Sequence, residues 1–291
     1  MWQQKSFENE NQKGILYLVP TPIGNLEDIS FRALRILKEV DLIAAEDTRN
    51  TKKLCNYYEI KTPLVSYHEH NKNMSGEKLI EKLKEGIKVA LVSDAGMPTI
   101  SDPGLELVEL ATQQSLTVVP LPGANAALTS LIASGLPSQP FLFYGFLNRQ
   151  KKEKKKELEL LKKHSATIVF YEAPHRLKET LMVMLDILGD RNIALCRELT
   201  KKYEEFIRGT ITEVIEWSNQ DEVRGEFCLV VEGSKDLVEE ESSWWQTLSI
   251  EEHVNYYIST KNMSSKEAIK LTAKDRGLNK REIYQEYHIN K

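Results

Sequence analysis

Between residues 14 and 233 short apolar runs of β-type residues recur, most of them followed by a helical pattern, and this alternation most constrains the fold. The runs fall at 14–19, 42–45, 64–67, 89–93, 117–120, 141–146, 167–171, 193–197 and 227–231. Helical spacing of apolar residues fills intervals such as 77–85, 105–111, 126–133 and 177–188. Strands that alternate with helices need crossover connections, so the reading is an α/β chain with mainly parallel sheets and helices on their faces. In such sheets the carboxyl ends of the strands share one edge, and the loops there build ligand crevices.

The first of these loops, Pro20-Thr21-Pro22-Ile23-Gly24-Asn25, leads to Ser30, placed to cap a helix that carries Phe31, Leu34, Ile36 and Leu37. Neither G-x-G-x-x-G nor G-x-x-x-x-G-K-[ST] occurs, which disfavours a backbone cradle for phosphate. Prolines remove donors and fix φ, so the loop suits a bulky, largely non-anionic ligand, or is an ordinary proline-rich turn. Strand ends at 44–51, 92–104 and 120–125 share its punctuation. Asp94 follows an apolar strand and precedes Ala95-Gly96, where a ligand can approach the backbone. Asp102, just before Pro103-Gly104, reads by default as the N-cap of the next helix. The turn cluster Leu121-Pro122-Gly123 suggests a boundary between an α/β domain at 14–122 and a second at 123–233.

A chain of 291 residues, 41% hydrophobic and 28% charged, has room for both domains. No apolar stretch approaches a membrane span, and the N-terminal extension 1–13 has no signal-peptide core, so a cytoplasmic protein is expected. The net charge of −4 argues against indiscriminate nucleic-acid binding. Charge is unevenly spread, however: 151–163 is lysine-rich, 236–252 acidic, and 261–291 basic. The lysine run also fits a solvated helix face beside Leu158 and Leu161. Cys55, Cys196 and Cys228 are widely spaced and read as buried free thiols. His68-Glu69-His70 lacks a third ligand at sensible spacing, so no metal is expected.

After Gly233, residues 234–291 read as a linker and a small helical region. Ser264 or Ser265 can cap one helix that stops at Gly277, and Asn279 with Glu282 can open a second. The pair is helix-turn-helix-like and carries Lys270, Lys274, Arg276, Lys280 and Arg281. It reads equally as an RNA contact or as a helical cap.

Segments 19–30, 45–51, 93–104, 121–125 and 170–177 resemble those of the small-subunit ribosomal RNA ribose methyltransferases within the tetrapyrrole methylase superfamily. The resemblance spans 14–233, and the terminal helices are similar too. It implies two α/β domains of tetrapyrrole methylase type, S-adenosyl-L-methionine folded in the cleft between them, and a homodimer. The implied reaction is 2′-O-methylation of a cytidine in the decoding region of 16S rRNA, within the small ribosomal subunit. By position, the cofactor would touch Pro22, Asp94, Met97, Asn125, Ala126, Tyr171 and Ala194. The first loop departs from the glycine-richer turn of the tetrapyrrole-modifying members, which lowers the expectation of a porphyrinoid substrate.

Methyl transfer from a sulfonium to oxygen is an in-line displacement in which positioning supplies much of the acceleration. A base near the hydroxyl should help as its proton leaves. Glu46, Asp47 and Glu172 are candidates by position, with Arg49, His175 and Arg176 as phosphate or hydroxyl contacts; each could instead serve a salt bridge or helix cap. The segment Arg197 to Lys202, similar to the family's basic segment, is assigned to RNA backbone contact through Arg197, Lys201 and Lys202. Rival readings are a methyltransferase of corrinoid or porphyrin precursors, and a non-enzymatic nucleic-acid-binding protein.

Overall fold

The computed structural model describes residues 2–6, 13–69, 71–220, 223–235, 245 and 247–289. The chain divides into two compact units, Met1–Ser234 and Lys235–Lys291. Most of the acidic stretch, with Trp244, lies outside the described residues, as do His70 and residues 7–12.

The first unit opens with β1 (Ile15–Leu18), α1 (Phe31–Glu39), β2 (Leu42–Ala45), α2 (Thr48–Tyr57), β3 (Leu64–Ser66), α3 (Lys72–Lys84), β4 (Val89–Val92), α4 (Leu105–Gln113) and β5 (Thr117–Pro120). Its strands form a wholly parallel sheet in the order β3-β2-β4-β1-β5. Successive residues of a strand face opposite sides, so both faces can be buried only by apolar residues throughout. Ile15, Val19, Ile43, Ala45, Ala90 and Val92 accordingly pack with α1 and α2. Leu16, Ala44, Val89 and Leu91 pack with α3 and α4. Ser30 caps α1 as read, its Oγ accepting from Ala33 N at 3.1 Å.

A second sheet follows from α5 (Ala126–Ser134), β6 (Phe141–Phe146), α6 (Lys151–Leu161), β7 (Thr167–Glu172), α7 (Pro174–Leu188), β8 (Asn192–Arg197), β9 (Glu205–Thr210), α8 (Ile211–Gln220) and β10 (Phe227–Val231). Its order is β6-β7-β10-β8-β9, and only β6 and β7 are parallel. The expectation of mainly parallel sheets therefore fails here. β8 and β9 are joined by a connection too short for a crossover, and β10 enters the centre antiparallel to both neighbours. β9 also escapes the apolar-run reading, because Glu205–Thr210 is a half-exposed edge strand. Helices α6 to α8 cover one face through Leu158, Leu161, Leu181, Met184, Ile187 and Val214. The lysine-rich run is thus α6, with Leu158 and Leu161 in the core and most of its lysines towards solvent. The other face carries Val169, Tyr171, Ala194, Cys196, Cys228 and Val230, and α5 lies on it through Ala127 and Leu131.

Among its described residues the second unit holds three helices rather than the expected pair: α9 (Ile250–Thr260), α10 (Ser265–Arg276) and α11 (Lys280–Ile289). Ser249 with Glu252 and Ser264 with Glu267 form full capping boxes, and Gly277 closes α10 at φ 63°. Val254, Ala268, Ile269, Ala273 and Ile283 make a core of their own. Arg276 is not a free cation: it donates to His253 Nδ1 at 3.2 Å and to the Trp245 and Ser249 carbonyls.

Candidate active site

Two loops leave the carboxyl ends of the neighbouring parallel strands β1 and β4 and are tied together. Thr21 N donates to Gly96 O at 2.9 Å, Gly96 N returns a bond of 3.0 Å, and Thr21 Oγ1 donates to Ser93 O at 3.1 Å. Gly96 sits at φ 80°, a conformation that strains any side chain. The loop after β5 presses on the same place, since a Cβ on Gly123 would stand 2.5 Å from Pro20 Cβ. On its far side the first loop meets the loop after β8: Asn25 N donates to Thr200 Oγ1 at 3.0 Å. Thr99, Ser101, Glu198 and Thr200 all have positive φ without being glycine, so strained backbone gathers around this cleft.

The cleft encloses a cavity of about 510 Å³, within the size range of small-molecule sites. Ile23, Ala95, Gly96 and Met97 form one wall, and Ile100, Ser101 and Asp102 continue it. Asn125 and Ala126 open the adjoining α5. Asn125 Oδ1 caps that helix at Leu128 N, 3.0 Å, while Tyr171 Oη accepts from Ala127 N at 3.2 Å. The floor is apolar. Cys228 is the direct cross-strand neighbour of both Tyr171 and Cys196, so all three share one row of the sheet and line the cavity. Burial pushes both thiols up to about 12, leaving them neutral. Ala173, Pro174 and His175 at the start of α7 complete the opposite rim.

Of the residues named from sequence, Met97, Asn125, Ala126, Tyr171, Glu172, His175 and Lys201 line this cavity. Pro22, Asp94 and Ala194 do not. Ala194 shares the face of Tyr171 and Cys196 but lies further from the strand end, in the core with α5 residues Ala127 and Leu131. Asp94 works behind the wall: its Oδ1 accepts from Asp47 N at 3.1 Å and its Oδ2 from Asn50 Nδ2 at 3.0 Å, which ties the start of α2 to the turn.

The carboxylates named as bases are differently employed. Asp47 caps α2, accepting from Arg49 N at 2.8 Å and gripping the exposed Arg49 guanidinium, which holds its carboxyl at about 2. A carboxylate that weak is a poor proton acceptor. Glu46 is pushed above its ordinary range by burial, against a bond from Asp94 N, but stands outside the cavity lining. Glu172 is buried; its Oε2 accepts from Thr180 Oγ1 at 2.6 Å and its Oε1 from Ala173 N at 2.9 Å, with Arg176 Nε 3.1 Å away. Arg176 also donates to Leu147 O at 2.6 Å, so it braces the fold. Arg197 pairs with Glu205 at 3.1 Å, and Lys201 with Glu198 and Glu226 at 3.1 and 2.9 Å. Lys202 is exposed, its ammonium 5.4 Å from the Tyr203 ring centre.

Asp102 is the site residue that sequence reasoning passed over. The N-cap of α4 is Gly104, at φ 141° and with no side-chain cap, so Asp102 is released from the capping role assigned to it. It faces the cavity instead, and burial, with Glu46 and Asp94 nearby, pushes its carboxyl up to about 7. The proline-glycine step after it was the available signal, since a glycine at the helix start leaves the preceding carboxylate without a cap to make. Among the described residues no group of His, Cys, Asp and Glu could hold a metal ion.

Residues 15–215 match the tetrapyrrole (corrin/porphyrin) methylases. The chain is 69% identical over 288 residues to the ribosomal RNA small subunit methyltransferase I of Bacillus subtilis, covering 99% of this chain and 98% of that one. It is 58% identical to the protein of the same name from Halalkalibacterium halodurans, with 99% of each chain covered. Among solved structures, a cobalt precorrin-4 methyltransferase overlays with a TM-score of 0.58 at 17% identity, covering 75% of this chain and 94% of that one. A Thermus thermophilus uroporphyrin-III C-methyltransferase complexed with S-adenosylhomocysteine gives 0.54 at 22% identity, with 75% and 97% covered. The two-sheet fold is thus shared with enzymes of distant sequence, and the chain belongs to the tetrapyrrole methylase family.

Proposed function

We propose that this protein is an S-adenosyl-L-methionine-dependent methyltransferase acting on 16S rRNA, where it methylates the ribose 2′-hydroxyl of a cytidine in the decoding region. The observation that carries the reading is the 69% identity along nearly the full length of a ribosomal RNA small subunit methyltransferase I. The match covers 99% of this chain, so it takes in both the cavity loops and the terminal helical unit. The cavity fits the cofactor in size and chemistry. Its apolar floor and the Phe146 and Tyr171 rings suit a purine, and Asn125 and Ser101 offer polar anchors.

When bound, the cofactor supplies an electrophilic methyl carbon; the protein's part is to align it with the hydroxyl and keep water out. His175, exposed on the cavity rim, is placed to meet the RNA. In the second unit Lys266, Lys270, Lys274, Lys280 and Arg281 are exposed on α10 and α11 and serve as phosphate contacts. The proposal includes a homodimer, an assembled small subunit as substrate, and a cytoplasmic setting; among the described residues no helix is long and apolar enough to cross a membrane. Purified protein, labelled cofactor and small ribosomal subunits lacking the mark provide the test. Label in a cytidine ribose is the expected result; cofactor binding without transfer to the RNA would refute it.

A further inference from the structure

Four acidic residues, Asp102, Glu172, Glu198 and Glu226, line the cavity, and the carboxylates of three are already engaged. Glu172 is held by Thr180, Ala173 N and Arg176. Glu198 accepts from Glu226 N at 3.0 Å and Lys201 Nζ at 3.1 Å, which lowers its pKa, and Glu226 takes the same ammonium at 2.9 Å. Among the described residues Asp102 alone of the four makes no hydrogen bond and no ion pair. Its backbone is nonetheless firmly placed. Thr99 and Ser101 are held at φ 74° and 63°, and a Cβ on Gly104 would stand 2.8 Å from Leu91 Cδ2. Non-glycine residues persist in that conformation only where their surroundings impose it.

We propose that Asp102 is the catalytic base, its free carboxylate facing the cavity to receive the proton of the attacking ribose hydroxyl. The inference rests on the function proposed above. As the ribose oxygen bonds to the methyl carbon, the carbon–sulfur pair returns to sulfur and the hydroxyl proton passes to an Asp102 carboxylate oxygen. Charge is balanced, because the sulfonium becomes a neutral thioether and the carboxylate a neutral acid. The groups that set its basicity are Glu46 at the end of β2 and Asp94 after β4, both acidic, and burial. Tyr171 on β7 is kept neutral, its own hydroxyl pushed up to about 12 chiefly by burial. His175 lies on the same cavity, and Lys201 is neutralised by its two glutamates. A pKa near 7 gives the strongest base still deprotonated at working pH.

The full-length Asp102→Asn variant tests this through three measurements: cofactor dissociation constant by calorimetry, carboxyl titration of the ligand-free protein by carbon NMR, and single-turnover transfer to small ribosomal subunits at saturating cofactor. The saturated rate should fall by about 10²- to 10⁴-fold, the usual contribution of a general base. The wild-type rate should climb with pH along an acid limb that the variant lacks, and a carboxyl signal that titrates near neutrality should vanish with the substitution. A variant that loses affinity but keeps its saturated rate would overturn the proposal, making Asp102 a cofactor contact. Should the asparagine variant not fold, a wild-type profile without an acid limb overturns it equally. Wild-type protein that binds cofactor and leaves ribosomal RNA unmethylated refutes the proposed function itself, a result that needs no variant.

Discussion

Replacing Thr180 by valine removes one hydroxyl at nearly constant volume, and it should destabilise the first unit far more than that change of atoms suggests. Thr180 is buried on α7; its Oγ1 donates to Glu172 Oε2 at 2.6 Å and accepts from Lys154 Nζ at 3.0 Å. Both ionic partners are buried as well, Lys154 completely. Each is left one partner short in the variant, and hydrogen bonds to charged groups contribute about 1.5–3 kcal/mol apiece. The expected loss is therefore about 3–6 kcal/mol. Thr180→Ser keeps the hydroxyl and should cost only about 1 kcal/mol for the lost methyl group. Lys154→Met should stay within about 1 kcal/mol, because Glu172 keeps Arg176 and an apolar chain of similar volume replaces the buried ammonium. Valine at 180 should then cost about 1.5–3 kcal/mol less in the Lys154→Met background than in the wild type. Urea unfolding followed by circular dichroism measures the four variants against wild type, with unchanged slopes licensing the comparison. A Thr180→Val loss no larger than that of Thr180→Ser, or strict additivity with Lys154→Met, would refute the reasoning. Because Glu172 also accepts from Ala173 N on the cavity rim, calorimetry should show weaker cofactor binding in Thr180→Val.

The raised Asp102 pKa also predicts a stability profile. Its folded value of about 7 lies above the ordinary 3.8, so the folded state binds more protons between these values and stability falls as pH rises through that window. Asp102→Asn removes the effect; thermal melts should show it more stable than wild type at pH 8, with the gap closing towards pH 4, and a constant gap would count against the burial argument. Gly123→Ala should cost about 1–3 kcal/mol in denaturant titrations and weaken cofactor binding, since its Cβ would meet Pro20 at 2.5 Å; an unchanged midpoint would mean that the two loops part freely. Asp94→Ala should weaken cofactor binding more than Glu46→Ala, because Asp94 ties Asp47 and Asn50 to the turn that carries Ala95 to Met97. Calorimetric titrations in the reverse order would overturn that ranking.

The strands of the first sheet were legible because each is buried on both faces and so is apolar throughout, as in Leu42–Ala45 and Val89–Val92. Helices with a strong cap or an apolar stripe, such as α1, α5 and α10, were equally plain. What escaped lacked a broad apolar stripe or stood in a misleading context. α2 buries only Thr51 and Cys55 among its helical residues, β9 is a half-exposed edge, and α9, despite its Ser249–Glu252 capping box, overlaps the acidic stretch at 236–252. In the site, the loops that meet were readable from their prolines and glycines, whereas the employment of each charged side chain was not. Asp47, Glu172, Arg176 and Arg197 all carry reactive groups, yet hydrogen bonds and ion pairs within the fold engage every one.

Local physics accounts for that division. Alternation of apolar runs, capping residues and proline-rich strand ends act over a few residues, so the sequence alone determined an α/β chain with its ligand loops at strand ends and a helical unit after residue 234. Whether a carboxylate is free depends on neighbours far away in the chain. Asp94 meets Asn50, Glu172 meets Thr180 and Lys154 stands behind it, while Asp102 is left facing the cavity because Gly104 opens α4 without it. Those pairings, and the antiparallel entry of β10 that sets Cys228 between Tyr171 and Cys196, were decided by tertiary structure alone, since burial and Coulomb interaction act through space and not along the sequence.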